Sequence, residues 1–144
     1  AAFQMIGEKP VLGFGPGTFY SLYKNYAVSS FSTYVSDNPE KSGVHCYYLM
    51  TAVEQGLIGL LIFLLLCFVV MLKGEEVYHR KDLDPFTKRI VMAATLGFIC
   101  IAAINIVNDM VETDKVGSFF FVYMALIVNI DIKSKQQRLE GEED

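Results

Sequence analysis

Leu57-Ile58-Gly59-Leu60-Leu61-Ile62-Phe63-Leu64-Leu65-Leu66-Cys67-Phe68-Val69-Val70-Met71-Leu72 runs for sixteen residues without a charged side chain. As a helix it covers about 24 Å at ~1.5 Å per residue, somewhat less than the ~30 Å hydrocarbon core of a bilayer. The run is therefore expected to continue upstream through Thr51-Ala52-Val53-Glu54-Gln55-Gly56, with Leu49 and Met50 at its start. A carboxylate at the resulting depth of Glu54 must face protein or a wet cavity, because lipid offers it no partner.

Two weaker runs follow. Residues 90–107 carry no charge over eighteen positions, and residues 116–130 form an apolar stretch with Ser118 and Asn129 near its ends, which Ile132 lengthens. The chain of 144 residues is 53% hydrophobic, and its apolar residues are clumped into these blocks rather than spread as in a soluble domain. The expected fold class is an all-α integral membrane protein with three transmembrane helices, at 49–72, 90–107 and 116–132. A segment over 1–48, a linker over 73–89, a loop over 108–115 and a tail over 133–144 complete the expected organisation.

Lys73, Arg80, Lys81, Lys88 and Arg89 occupy the linker, and Lys133, Lys135 and Arg138 the tail. These oppose Lys9, Lys24, Lys41 and Lys115 on the other side. The positive-inside rule then puts linker and tail in the cytoplasm and residues 1–48 and 108–115 outside, in the periplasm of a diderm bacterium. The net charge of −4 says little, since residues 140–144 alone carry four acids. No basic stripe suggests nucleic acid. Cys46, Cys67 and Cys100 lack paired spacing, so neither a disulfide nor a metal site is expected. The opening Ala1-Ala2-Phe3-Gln4-Met5-Ile6 reads as the inside of a helix, with further chain expected before it.

The outward segment has local features. Pro10-Val11-Leu12-Gly13-Phe14-Gly15-Pro16-Gly17 is rich in turn formers, and it lacks the Gly-Lys-Ser/Thr of a phosphate loop, so a structural turn is the better reading of its glycines. Phe19, Tyr23 and Tyr26 fall at i, i+4 and i+7, which predicts a short amphipathic helix over 18–28 with its aromatic face at the membrane interface. A polar loop over 29–42 leads to His45, where the first span begins. A histidine there is able to bond a phosphate or a sugar hydroxyl. A plain helix-capping role is the competing reading. Asn105, inside the second apolar run, is expected to bond a neighbouring helix and to lie near the level of Glu54. Asn108, Asp109, Glu112 and Asp114 read as residues of a span mouth.

The run Glu8-Lys9-Pro10-Val11-Leu12-Gly13-Phe14-Gly15-Pro16-Gly17-Thr18-Phe19 is followed by Val44-His45-Cys46-Tyr47-Tyr48-Leu49 and then by Glu54-Gln55-Gly56-Leu57-Ile58-Gly59-Leu60. In this order the three resemble the C-terminal half of the O-antigen ligase and polymerase family domain, over about residues 1–72. Asn108-Asp109 is similar to a polar pair often seen there. The resemblance implies a membrane glycosyltransferase that moves a glycan from undecaprenyl diphosphate to lipid A-core or another glycan or protein acceptor. It implies the periplasmic face of the bacterial inner membrane and no cofactor.

On that resemblance His45 is the expected catalytic base, with Cys46 standing where the family usually has Asn. Gly15, Gly17, Tyr48, Asn108 and Asp109 are expected at the substrate, with Glu54 and Asn105 in support. The family's diphosphate-holding arginines have no counterpart in residues 1–72, and are expected upstream, so that the fragment alone is not expected to be active. A polysaccharide polymerase and a protein O-glycosylation ligase share these motifs. A non-catalytic three-span subunit is the reading from a different class.

Overall fold

The computed structural model describes residues 1–26, 44–109, 111 and 114–142. The predicted polar loop over 29–42 and Glu112 lie outside them. Five helices follow in chain order: α1 (Ala2–Glu8), α2 (Phe19–Tyr26), α3 (Tyr47–Tyr78), α4 (Pro85–Ile104) and α5 (Asp114–Glu142). Three are long and apolar enough to cross a membrane, α3, α4 and residues 115–140 of α5. Much of their surface is exposed leucine, isoleucine, valine and phenylalanine. In water such faces would collapse or aggregate, whereas hydrocarbon solvates them, so the chain is a helical membrane protein.

The chain divides into two compact units. The first comprises Ala1–Leu65 and Ile104–Met110. Its core is Met5, Phe19 and Val53, with Ala2, Ile6, Phe14, Leu22, Tyr23, Tyr26, Val44 and Met50 packed around it. The aromatic face of α2 therefore points into protein, a correction to the expected interfacial placement. Phe19 is 3% exposed, and Tyr23 tilts against it at 5.4 Å between ring centroids. Tyr26 also reaches Glu8 at the end of α1 through its hydroxyl.

The first span differs from expectation in a way that matters for the site. α3 is broken at Gly56, whose φ of 72° and ψ of −175° belong to no helix. Tyr47 and Phe63 stand eight residues to either side of Gln55, and in a straight helix they would be about 24 Å apart along the axis. Their rings instead meet at 5.1 Å, and Tyr48 approaches Phe63 at 5.8 Å. Residues 47–55 thus fold back beside the helix that follows.

The upstream extension expected to complete the span is not what completes it. The helix instead runs on to Tyr78. Residues 57–78 alone measure about 33 Å, enough for the ~30 Å core. The charges that suggested an end at Leu72 are accommodated within the last turns, where Lys73 pairs with Glu76 and long side chains extend their heads toward water.

The second unit comprises Leu66–Ala103 and Val111–Asp144. Asp84 caps α4, its Oδ2 accepting from the N–H groups of Phe86 (2.9 Å) and Thr87 (3.0 Å), with Pro85 at the first helical position. This cap explains why α4 starts at Pro85, ahead of the apolar run. Gly74 lies against Thr95, and Gly97 against the ring of Tyr123, where an added Cβ would come within 2.2 and 2.6 Å of existing atoms. Small residues at such crossings let membrane helices approach closely. Phe98 and Phe120 stack at 4.6 Å within this packing.

α5 does not stop near Ile132 but continues as helix through the expected tail. Its extension is tied by Arg80, which is 9% exposed. The guanidinium donates to the Asp131 carboxylate, the Asp131 carbonyl (3.3 Å), Ser134 Oγ (3.1 Å) and Glu76 Oε1 (2.9 Å). Ser134 in turn donates to Asp82 (2.6 Å).

Candidate functional site

All eight residues singled out in the sequence fall in the first unit, although the stretch 66–103 separates Asn105, Asn108 and Asp109 from the others. The centre of this unit is the break at Gly56. An unbroken helix would bond the carbonyls of Val53 and Glu54 to the N–H groups of Leu57 and Ile58. Here Phe14 N–H donates to Val53 O (2.9 Å) and Gly15 N–H to Glu54 O (2.8 Å), while Leu57 N–H donates to Pro10 O (2.8 Å). The glycine-rich loop substitutes for the missing turn of helix. Irregular backbone is tolerated in a membrane protein where other protein satisfies it in this way.

The fit depends on missing side chains at two positions. A Cβ at Gly13 would lie 2.5 Å from the Glu54 carbonyl carbon, and one at Gly56 would lie 2.2 Å from Val11 O. Both are backbone contacts that no rotamer change relieves. Gly13 and Gly56 also have φ of 66° and 72°, which L side chains rarely adopt. The Gly13-x-Gly15-x-Gly17 spacing is thus explained by docking as far as Gly15. The N–H of Gly15 is consumed by Glu54 O and is not presented to an anion. Gly17 (φ 71°) stands exposed, with open space around the position of a Cβ.

Glu54 is 8% exposed, and its Oε1 accepts the N–H of Phe19 at 3.3 Å. It caps the start of α2, so its partner is a backbone N–H and not Asn105, the polar residue expected near its level. Because residues 47–55 fold back, depth counted from His45 into the span no longer locates Glu54 either. Asn105 is fully buried, and among the described residues its side-chain Oδ1 and Nδ2 have no hydrogen-bond partner. Its backbone carbonyl accepts from Tyr47 N–H (3.0 Å), the first residue of α3. The signal missed in the sequence is this backbone role, which any residue type would fill.

His45 is exposed in the bend before α3, beside half-buried Cys46. Tyr48, one residue into the helix, is half-buried against Phe63. Asn108 and Asp109 are half-buried after α4, and Asn108 Oδ1 accepts the N–H of Asp109 (3.0 Å). Lys9 lies over the Phe14 ring at 4.8 Å, which sets one cation at the docked loop. Among the described residues no group of three His, Cys, Asp or Glu side chains is arranged to hold a metal.

The unit therefore offers an exposed imidazole at the head of a helix and a glycine loop locked to that helix. Asn108 and Asp109, which follow α4, belong to the same unit. No family model matches the chain, and neither a curated protein nor a solved structure matches it.

Proposed function

We propose that the chain is part of a membrane glycosyltransferase that moves a glycan from undecaprenyl diphosphate to an acceptor hydroxyl, at the periplasmic face of a bacterial inner membrane. The observation that carries this reading is the interlocking of the resembling segments. The loop over 10–15 closes the break at Gly56 through three backbone hydrogen bonds, and His45 heads the helix that carries the break. Segments that resemble one family in sequence order are thereby parts of one folded unit, which separate packing features need not be. The orientation rests on the eight basic residues of linker and tail.

In this reaction the acceptor oxygen attacks the anomeric carbon, the bond from that carbon to the diphosphate oxygen breaks, and undecaprenyl diphosphate leaves with the electron pair. The acceptor proton goes to the neutral imidazole of His45, which acts as general base. Positive charge near the diphosphate offsets what develops on it. Lys9, over the Phe14 ring, is one cation at the docked loop. Asn108 and Asp109 are suited to sugar hydroxyls. Gly17, exposed, and Tyr48, half-buried against Phe63, are assigned to substrate on the resemblance alone. Glu54 and Gly15 hold the frame.

In the full-length protein with expression verified, His45→Ala abolishes transfer in a complementation assay, while Cys46→Ala and Cys46→Asn retain it. Wild-type transfer by the His45→Ala protein removes the assignment. One observation favours a purely structural subunit instead: Gly15 and Glu54, both resembling family positions, are spent on internal bonds. Retained transfer in the His45 variant would support that alternative.

A further inference from the structure

The tip of the glycine loop carries Val11 and Leu12, large apolar side chains that docking leaves 56% and 76% exposed. Backbone contacts fix their place along the first span. Leu57 N–H donates to Pro10 O (2.8 Å), and a Cβ on Gly56 would lie 2.2 Å from Val11 O and 2.7 Å from Leu12 N. The peptide joining Val11 to Leu12 therefore rests on Gly56, at the level where the apolar helix begins and within the same compact unit. Over the next turns α3 exposes Leu57, Ile58, Leu61 and Ile62, a surface that hydrocarbon solvates.

The far end of the span bounds the depth of this level. With the hydrocarbon edge at Leu72, just ahead of Lys73, residues 57–72 cover ~24 Å, so a ~30 Å core continues ~6 Å past Leu57. With the edge at Tyr78, residues 57–78 cover ~33 Å, and the core ends ~3 Å short of Leu57. On either count the loop tip lies within about 6 Å of the hydrocarbon boundary. We propose that Val11 and Leu12 insert among the phospholipid acyl chains of the leaflet at this end of the span, so that the glycine loop is a membrane anchor as well as a patch on the broken helix.

Continuity with the lipid-facing surface of α3 selects the occupant. Adjacent exposed apolar side chains that extend a larger apolar surface mark an interaction site. A protein partner seated on the tip would have to displace lipid from Leu57 and Ile58 at the same level, whereas acyl chains cover the whole strip at once. The backbone of the loop is suited to such surroundings, where hydrocarbon offers no hydrogen bonds. Pro10 brings no N–H and its carbonyl is taken by Leu57, while Lys9 O accepts from Gly13 N–H (3.1 Å). The N–H groups of Phe14 and Gly15 are taken by the carbonyls of Val53 and Glu54. Exposed Lys9, just ahead of the tip, limits the depth to the boundary zone, since its aliphatic stem carries the ammonium to the phosphate level.

The chain contains no tryptophan, so Leu12→Trp places a single fluorescent reporter at the tip. The full chain is reconstituted into phosphatidylcholine vesicles, with or without bromine on the upper part of the acyl chains. Leu61→Trp, within the span, is the lipid reference, and Leu139→Trp, between Arg138 and Glu140, is the water reference. Leu12→Trp should lose at least about half of its emission to brominated lipid, as expected of an anchor seated ~5–10 Å into the boundary. Iodide in the water should quench it severalfold less than it quenches Leu139→Trp. Should circular dichroism show that Leu12→Trp has lost its helices, Val11→Trp takes its place with the same expectations. Emission unaffected by brominated lipid overturns the proposal: with iodide quenching equal to that of Leu139→Trp the tip lies in water, and without it protein covers the tip. None of these readouts measures glycan transfer, so the anchor stands or falls apart from the transferase reading.

Discussion

Gly56→Ala separates a built break in the first span from an accidental one by the sign of its effect. In a continuous apolar helix, alanine in place of glycine stabilises by up to about 1 kcal/mol. At φ 72° and ψ −175° the same methyl group enters a region essentially reserved for glycine, at about 1–3 kcal/mol. It would also sit 2.2 Å from Val11 O and 2.4 Å from the Val11 carbonyl carbon. Relieving that contact pulls the loop off the helix. At minimum the Leu57 to Pro10 hydrogen bond is lost, about 0.5–1.5 kcal/mol. The sum is a destabilisation of about 3 kcal/mol, rising if the Phe14 and Gly15 bonds go as well.

The assay is unfolding by dodecyl sulfate in mixed micelles, followed by far-ultraviolet circular dichroism. Gly7→Ala serves as reference, since a Cβ there meets nothing within 4 Å. Gly7→Ala should be neutral or mildly stabilising, and Gly56→Ala should shift the midpoint strongly toward lower denaturant. A Gly56→Ala protein as stable as the wild type would refute the docked break and return the segment to one continuous helix.

Glu54→Gln retains an acceptor for Phe19 N–H and should stay within about 1 kcal/mol of wild type, whereas Glu54→Leu should lose about 1–2 kcal/mol and folded yield in the membrane. Loss of transfer with full yield in Glu54→Gln would show that the charge itself is needed and that the base is misassigned. Arg80→Ala leaves the carboxylate of Asp131 buried with only Lys135 (2.9 Å) beside it, so a loss of about 3 kcal/mol is expected in the same unfolding assay. Recovery of most of it in Arg80→Leu/Asp131→Leu would mark the cost as that of the orphaned charge.

Acidification should loosen the second unit. Asp82 is held below the ordinary carboxylate range first by Ser134 Oγ–H, and Asp84 first by the Thr87 hydroxyl. A depressed folded pKa contributes stability above the unfolded value and loses it as pH falls through the folded one. The melting temperature should therefore fall below about pH 4, less so in Asp82→Asn/Asp84→Asn, and a melting temperature that is flat or rising on acidification contradicts the assignment.

The existence of three spans was legible from composition alone, because a bilayer admits only long apolar helices for such runs. Residues 57–72 announce their solvent whatever they pack against. The short helix after the glycine turn was also visible, since Phe19, Tyr23 and Tyr26 share one face at helical spacing. Which side of that helix meets protein was not. An aromatic stripe reads the same whether lipid or Met5 and Val53 cover it, and only the tertiary structure decided for the latter.

The same holds more sharply for the glycines. Gly56 and Gly59 lie three residues apart in one apolar run, yet only Gly56 has a positive φ, because only there do Pro10, Phe14 and Gly15 supply the bonds that the helix gives up. That partner is over forty positions away in the chain, beyond any local pattern. Depth fared likewise: counting 1.5 Å per residue from His45 holds along a straight helix and fails once residues 47–55 fold back. Period, length and charge asymmetry are local properties that a single sequence carries in full. Hydrogen-bond exchange between distant backbones, and the pairing of Glu54 with Phe19 N–H in place of Asn105, arise only when the chain closes on itself.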